Sequence, residues 1–357
     1  MGQTVPCILD GMDKDLKNKT LPELKQLVTQ EQGRAFDAKY IFSFIHEKHI
    51  GAIEEISPLP KSFRHRLVEA GYRISSLDLV ERFVDPDGTL KFVFALPDDT
   101  RFEAVLLRDG DRNTLCISSQ AGCKMACGFC ATGAMGYLAN LTGAQIVDQV
   151  YQITRAGHTA HNIVYMGMGE PFDNTQEVLR SVRILNDPTG QHIGQRRITV
   201  STCGLPEGIR QLAESRLQLR LAVSLHACND RARSELMPIN NRHRLSDLLD
   251  AIRAYQKKTG RRITFEYCLM KDINDSTRDA RELVRVVKGI KANVNLIEFN
   301  EFPGCNYQPS DKATMHLFAS VLQEAGVETV IRFKRGQSIK AACGQLGATW
   351  LQADRLV

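Results

Sequence analysis

The chain has 357 residues, of which 43% are hydrophobic and 24% charged, and it carries a net charge of +5 at pH 7. This balance predicts a folded protein with one large domain and an appendage, and the small positive charge slightly favours anionic partners. We expect no signal peptide, because Asp10, Asp13 and Lys14 interrupt the start, and no membrane span, because apolar runs are short. The ten cysteines then predict metal ligands and reactive thiols in a reducing cytoplasm.

Short amphipathic helices joined by glycine and proline breaks are predicted early in the chain, beginning at Leu21 and spanning 35–49 and 59–70. Strands at 90–96 and 101–107 follow, and Pro97-Asp98-Asp99 between them predicts a hairpin. This organisation predicts two domains. Residues 1–97 form a small helical accessory domain with the start of the linking hairpin, and residues 98–357 form the core.

Cys123, Cys127 and Cys130 form a C-x3-C-x2-C triplet within eight residues. Three thiolates leave a metal centre one ligand short, whereas a structural zinc site has four protein ligands. A four-iron cluster held by three cysteines keeps one iron open. The triplet resembles that of radical-SAM enzymes, in which the open iron binds S-adenosylmethionine (SAM) and the cluster passes one electron to it. It therefore predicts one [4Fe-4S] cluster and SAM as cofactors.

Two other kinds of cysteine site compete with this interpretation. Ferredoxin-type clusters use other spacings and normally four cysteines. A zinc knuckle would pair the triplet with a nearby His or Cys, and the sequence that follows offers none before His158. An RNA-binding protein with a zinc knuckle is the alternative from a different functional class.

Strand and helix patterns alternate from about Leu115 onwards. Helical patterns such as 176–185 and 245–255 fill the gaps between buried strands predicted at 162–166, 197–201, 219–225, 262–269, 294–299 and 328–333. Repeated strand–helix units indicate an α/β fold with a parallel sheet or barrel, in which chemistry collects at the carboxyl ends of the strands. Polar and glycine residues follow those ends.

Four further motifs accompany the triplet and its flanks: Met166-Gly167-Met168-Gly169-Glu170-Pro171, Ser224-Leu225-His226-Ala227, Met237-Pro238-Ile239-Asn240 and Ala341-Ala342-Cys343-Gly344-Gln345-Leu346. Together these motifs resemble the RlmN/Cfr family of radical-SAM RNA methyltransferases. The resemblance runs from about residue 100 to 347 and is only loose before that. It implies a partial (β/α)6 radical-SAM barrel, open on one side, with a small N-terminal helical domain.

The resemblance also implies a mechanism with two SAM molecules per turnover. Cys343 takes a methyl group from the first, and a radical made from the second removes a hydrogen from it. The resulting carbon adds to an adenine of the RNA. Glu103 then accepts a proton, and Cys116 forms a disulfide bond with Cys343 that releases the methylated base. From the residues alone, Cys116 fits a buried strand cysteine and Glu103 the solvent face of a hairpin.

The cofactor-binding residues are also carried over by resemblance: Gly169, Glu170, Ser201, Ser224, Leu225, His226 and Asn300. They follow predicted strands, although His226 fits a core histidine equally well. Of three basic segments (195–197, 257–262 and 332–336), the last precedes Cys343, where RNA phosphates would pass.

The leading function is C2 methylation of an adenosine in 23S rRNA, with transfer RNA as a further candidate substrate. The alternative is C8 methylation of 23S rRNA, which confers antibiotic resistance, because the motifs do not separate the two target atoms. We expect a cytoplasmic monomer, with no membrane partner, that is served by an electron donor such as flavodoxin.

Overall fold

The computed structural model describes residues 14–110 and 112–353. Part of the segment that bears on the expected lack of a signal peptide lies outside these residues. Contacts divide the chain into two compact units, one with 1–78, 141–158 and 176–194, the other with 79–140, 159–175 and 195–357. Both units combine distant stretches, so they do not test the domain boundary near residue 97, which stays a prediction.

The helices are α1 (Leu21–Gln30), α2 (Asp37–His46), α3 (Lys61–Glu69), α4 (Ala131–Met135), α5 (Gly143–Arg155), α6 (Thr175–Asn186), α7 (Pro206–Glu214), α8 (Asp230–Leu236), α9 (Leu245–Thr259), α10 (Thr277–Val287), α11 (Lys312–Glu324) and α12 (Trp350–Ala353). The strands are β1 (Asp78–Val84), β2 (Leu90–Ala95), β3 (Arg101–Asp109), β4 (Arg112–Cys116), β5 (Gln120–Gly122), β6 (Tyr137–Asn140), β7 (Asn162–Tyr165), β8 (Ile198–Thr202), β9 (Arg220–Ser224), β10 (Ile263–Leu269), β11 (Ala292–Glu298) and β12 (Thr329–Arg332). None of the helices in the described part of the chain is long and apolar enough to cross a membrane.

The first unit joins the N-terminal helices to α5 and α6. Lys17 and Asp148 form a buried ion pair with 2.6 Å between Nζ and Oδ1, and Asp148 also accepts the Leu77 backbone N–H at 2.7 Å. Glu23, which caps α1, pairs with Arg180 of α6 at 2.6 Å. Buried charges need such partners, because an unpaired charge in the interior is costly.

The second unit contains a ten-stranded sheet in the order β1-β2-β3-β4-β7-β8-β9-β10-β11-β12. Every neighbouring pair from β4 to β12 is parallel, whereas β2–β3 and β3–β4 are antiparallel. The α/β class, the hairpin and all the core strands predicted from the sequence are confirmed. β1, β5 and β6 were not predicted, and β4 was anticipated only in the interpretation of Cys116 as a buried strand cysteine. A two-stranded ribbon, β5–β6, lies apart from the main sheet.

Among residues 14–110 and 112–353, hydrogen bonds do not close the sheet into a barrel, so the predicted open, partial barrel is confirmed. The segment after β12 instead returns to the turn between β1 and β2. Gly336 N donates to Asp87 Oδ2 at 2.8 Å, and Ser338 N donates to Asp85 Oδ2 at 2.9 Å. Gly336 has φ +66, and a Cβ there would lie 2.9 Å from Thr89. Only glycine therefore fits this crossing without strain.

Candidate active site

The three cysteines of the triplet lie on one loop, residues 123–130, between β5 and α4; we call it the cysteine loop. Cys123 N donates to Gly136 O at 2.8 Å, and Cys130 N donates to Cys127 O at 3.1 Å. Ala126 has a positive φ of 51°, which turns the chain sharply. A Cβ at Gly133 would lie 2.9 Å from Cys127 N, so the first turn of α4 packs directly on the loop.

The cysteine loop packs against residues at the carboxyl ends of the parallel strands. Met125, Cys127 and Phe129 contact an apolar cluster that includes Cys203 after β8, Ala227 after β9, Cys268 of β10 and Phe299 after β11. The Phe129 ring meets the His226 ring edge to face, with 4.5 Å between centroids. One side of the cysteine loop therefore has apolar surroundings, which limit solvent access and influence the redox potential of a centre bound there.

Burial raises the pKa of all three thiols, to about 12 for Cys123 and well above the usual value for Cys127. The charges of Cys123 and Cys130 contribute to the shift at Cys127. Metal binding must therefore displace protons. Within the described ranges no three His, Cys, Asp or Glu side chains converge on one ion. A four-iron cluster does not need such convergence, because each thiolate binds its own iron, and three thiols on one loop fit it.

Gly169 and Glu170 fix the carboxyl end of β7. Gly169 has φ +98, and a Cβ there would lie 2.5 Å from Cβ of Gln120. Glu170 is buried. Its Oε1 accepts the Phe172 N–H at 3.0 Å and its Oε2 accepts the Cys203 N–H at 2.7 Å. Desolvation raises the pKa of this carboxyl. The side chain thus joins the ends of β7 and β8 beside the cysteine loop.

His226 follows β9 with a left-handed φ of 54°. Its Nδ1 accepts the Cys268 N–H at 2.9 Å, and its carbonyl accepts from Asn274 Nδ2 at 2.7 Å. Burial, with the charge of Arg233, lowers the pKa of His226 to about 3, so the ring is neutral. Ser201 and Ser224 lie in β8 and at the end of β9, and Leu225 follows β9. The predicted cofactor residues are therefore all at strand ends.

Cys343 lies in residues 341–348, which we call the Cys343 loop, and this loop is fixed at several points. Ala131 N at the start of α4 donates to Gly344 O at 2.7 Å. Thr132 Oγ1 donates to Leu346 O at 2.7 Å, and Asn300 Nδ2 donates to Cys343 O at 3.1 Å. Asn300 Oδ1 is buried without a protein partner, which leaves an acceptor for a ligand donor.

The thiols of Cys116 and Cys343 interact electrostatically. Cys116 ends β4 and is buried, and the charge of Cys343 contributes to the raised pKa of its thiol. Cys343 is exposed, yet the surrounding atoms desolvate its thiol and raise the pKa to about 11, with contributions from Glu266 and Cys130. All the cysteines of the described residues are free thiols. The disulfide bond implied by the resemblance is therefore not present in this structure.

Glu103 is buried, with only 1% of its surface exposed, so its placement on a solvent face is wrong. Its Oε1 lies 2.9 Å from Lys91 Nζ, and its Oε2 accepts the Gly347 N–H at 2.9 Å. Desolvation raises the pKa of this carboxyl, and Lys91 opposes the shift. Val105 pairs with Cys116 in the sheet, so Glu103, two residues earlier, points to the same face as Cys116. This face also meets the Cys343 loop.

Two buried charged residues near the site were missed from the sequence. Arg233 of α8 is fully buried and donates hydrogen bonds to Asn240 Oδ1 at 2.9 Å and to Cys203 O at 2.6 Å. Its positive charge partly opposes the rise in the pKa of the Cys127 thiol. Glu266 lies in the middle of β10 and is 7% exposed. Helix arginines and strand glutamates usually face water, so nothing in the residue pattern marks these two as interior.

A C-x3-C-x2-C loop at the carboxyl ends of an open parallel sheet defines an enzyme of the radical SAM class, and residues 117–284 match the model of the Radical SAM superfamily. Such enzymes use a 4Fe-4S cluster and SAM.

Similar proteins of known type show to which family within this class the chain belongs. Probable dual-specificity RNA methyltransferases RlmN from Clostridium novyi and Moorella thermoacetica are 40% and 42% identical to this chain. The alignments cover 95% and 93% of this chain, and 99% and 96% of those proteins. The chain therefore belongs to the RlmN family of dual-specificity RNA methyltransferases. The crystal structure of a radical SAM methyltransferase from Sphaerobacter thermophilus superposes with a TM-score of 0.87 at 40% identity, covering 94% of this chain and 99% of that one.

Proposed function

We propose that this chain methylates C2 of an adenosine in 23S rRNA, and also in transfer RNA, through a methyl group carried on Cys343 and a transient protein–RNA adduct. The observation that supports the proposal is that the thiol of Cys343 interacts electrostatically both with Cys130, a cysteine of the triplet, and with a second free thiol, Cys116. An enzyme that used its radical directly on a small molecule would need neither extra thiol.

The target atom explains why a methyl carrier is needed. C2 of adenine lies between two ring nitrogens and is electron-poor, so it does not attack the electrophilic methyl group of SAM. The sulfur of a cysteine thiolate is a good nucleophile and does attack the methyl group of SAM. Loading the methyl group on Cys343 first therefore replaces one unfavourable step by two feasible steps, which is the general advantage of covalent catalysis.

Cys123, Cys127 and Cys130 would hold one [4Fe-4S] cluster, which would supply the electron that turns SAM into a hydrogen-abstracting radical and would take back the electron left unpaired when the carbon adds to adenine. The sulfur of Cys343 holds the methyl group that loses this hydrogen and then bonds to the adenine. Glu103 accepts the proton that leaves the adenine carbon, using a lone pair that is left on one of its engaged oxygens. The thiol of Cys116 attacks the Cys343 sulfur while the bond from that sulfur to the carbon breaks and the carbon takes up a proton, so a Cys116–Cys343 disulfide bond forms and the methylated base is freed. One SAM molecule supplies the methyl group and a second supplies the radical, so two are consumed in each turnover.

The remaining residues hold SAM. Asn300 Oδ1 is a buried acceptor with no protein partner, which suits a donor such as the adenine amino group. Ser201 and Ser224 offer hydroxyls at the ends of neighbouring strands. Gly169 and Leu225 offer backbone groups, and the neutral ring of His226 offers its Nε2–H, because Nδ1 already accepts a hydrogen bond. Glu170 keeps the strand ends in place and offers negative charge to the SAM ammonium.

The segment 332–336 supports an RNA substrate. Phe333 is 47% exposed and is flanked by Arg332 and Lys334. An exposed aromatic ring among basic residues can stack on an unpaired base while the charges contact phosphates. Lys334 is already paired with Glu298 at 3.4 Å and Arg335 with Asp109 at 3.0 Å, so the exposed Arg332 is the charge that we expect a phosphate to meet. We expect the enzyme to act as a cytoplasmic monomer that receives its electron from a donor such as flavodoxin.

Mass spectrometry of nucleosides from cells that lack or express the chain tests this function. We expect 2-methyladenosine in 23S rRNA and transfer RNA only when the chain is present. Finding only 8-methyladenosine would establish the C8 reaction instead. A colourless protein purified without oxygen, containing zinc and neither iron nor sulfide, would contradict the radical mechanism altogether.

A further inference from the structure

Glu266 is a buried acid that none of the roles above uses. In the parallel sheet it is paired in register with Ser224 of β9 and Asn295 of β11. Register partners of parallel strands point to the same face, so Glu266 shares the face of Ser224, a proposed SAM ligand. Asn295 Nδ2 donates to Glu266 Oε1 at 2.9 Å. The carboxyl is thus oriented by its neighbour and directed to the interior of the site.

The Cys343 thiol interacts electrostatically with this carboxyl. The charge of Glu266 raises the pKa of the Cys343 thiol, and Cys268, two residues further on the same face of β10, also interacts with Cys343. The hydrogen bond from Asn300 to the Cys343 carbonyl holds the Cys343 backbone beside the segment that follows the adjacent strand, β11. The other charged or titratable groups that act on this pair are Arg332 of β12, Cys130 and Cys116.

Methyl loading requires a thiolate, because a neutral thiol is a poor nucleophile. An ordinary cysteine thiol is mostly neutral at pH 7, and burial raises the pKa of Cys343 further. A base beside the sulfur removes this obstacle. Desolvation raises the pKa of Glu266 to about 7, where a carboxylate is still half ionised near neutral pH and is basic enough to take a proton.

We propose that Glu266 is the general base that removes the thiol proton of Cys343 during methyl loading. The S–H bond breaks as the proton passes to the Glu266 carboxylate, directly or through one water. The sulfur forms a bond to the methyl carbon while the bond from that carbon to the SAM sulfur breaks, and neutral S-adenosylhomocysteine leaves. Glu266 then returns its proton to solvent. This inference rests on the proposed S-methylcysteine function.

The variant Glu266→Gln distinguishes a general base from a residue that acts only through its charge, because the two roles predict opposite changes in the rate of methyl loading. If Glu266 acts only through its charge, removing that charge eases thiol ionisation and loading becomes faster. If Glu266 is the base, loading slows by about a hundredfold or more. The measurement is the single-turnover rate at which cluster-loaded protein incorporates methyl label into the Cys343 peptide, without RNA and at saturating SAM. Glu298→Gln, at the end of β11 and paired with Lys334, is the control and should load normally.

Two further readouts keep the result clear. The rate of Cys343 alkylation by iodoacetamide in the cluster-free protein reports the thiol pKa, which should fall in Glu266→Gln and show that the fold is intact. Glu266→Asp keeps a carboxylate and should recover part of the loading rate. In the wild type, loading should rise with pH through about 7 as Glu266 loses its proton, and Glu266→Gln should lose this step.

The outcomes distinguish this inference from the function on which it rests. A wild-type chain that places no methyl group on Cys343 overturns both. A wild-type chain that loads Cys343, together with a Glu266→Gln variant that loads as fast or faster, overturns only the role of Glu266. A defect in Glu266→Gln that disappears at saturating SAM also overturns that role, since it would mean that the carboxyl only helps to hold SAM.

Discussion

Replacing Lys91 by methionine leaves the Glu103 carboxylate buried without its ammonium partner. The two groups are 2.9 Å apart and only 3% and 1% exposed, so water cannot take the place of Lys91. The carboxyl is then expected to become protonated in the folded protein. Holding it protonated at pH 7, from an ordinary pKa of 4.5, costs about 3.4 kcal/mol of folding free energy. Removal of one partner of a buried ion pair typically costs about 3–5 kcal/mol, which agrees.

The loss of stability in Lys91→Met should depend on pH, and the ionisation of Glu103 determines in which direction. When the pKa of Glu103 is higher in the folded than in the unfolded protein, the folded state binds more protons between the two values, and stability falls as pH rises through that window. Lys91→Met raises the pKa of Glu103 in the folded protein further, and so widens the pH range over which stability falls. Its destabilisation should therefore be about 3 kcal/mol at pH 7 and below about 1 kcal/mol at pH 5, where protonation costs little.

Denaturant unfolding of the cluster-free protein at pH 5 and pH 7 measures these losses for Lys91→Met, Glu103→Gln and the double variant. The double variant should be more stable at pH 7 than Lys91→Met alone, because no buried charge remains. An equal loss for Lys91→Met at both pH values would refute the reasoning, since it would mean that Glu103 ionisation is not the source.

Three further variants test other parts of the site. Arg233→Met leaves the carbonyl of Cys203 without its buried donor and should lower the free energy of unfolding by about 2–4 kcal/mol in denaturant titrations; a loss below about 1 kcal/mol would contradict its anchoring role. Gly169→Ala meets both a positive φ and the Gln120 side chain, so it should cost about 1–3 kcal/mol and weaken SAM binding in calorimetry, unlike alanine at exposed Gly51. Cys343→Ala should carry no methyl label after incubation with SAM, and label retained on that variant would rule out Cys343 as the carrier.

The sequence predicted the core strands well because strands buried on both faces are continuous apolar runs. Residues 221–223 are an example: they are continuously buried in β9, which lies within the strand predicted at 219–225. β1 was missed because it is exposed along almost its whole length, so it has neither an apolar run nor a clean alternation. β4 is short and begins with polar residues, and only its place between β3 and β7 makes it a strand.

The site was predictable where its chemistry lies on one short segment or a recognisable motif. The spacing of Cys123, Cys127 and Cys130 is such a case. Glu103 shows the limit, because its residue pattern suggests an exposed hairpin face, whereas the Cys343 loop covers it and Lys91 neutralises it. Arg233 and Glu266 could not be found from the pattern, since their importance arises from which way a helix or strand face turns in the folded chain.

The covalent adduct between protein and RNA is the most direct test of the central claim. Cys116→Ala is compared with Cys268→Ala, since both remove a buried strand thiol that interacts with Cys343. Each variant is purified from cells, digested with nuclease and protease, and analysed by mass spectrometry. We predict an adenosine joined through one carbon to Cys343 in Cys116→Ala, and none in Cys268→Ala. A Cys116→Ala protein that is free of RNA and still methylates adenosine at the normal rate would contradict the account.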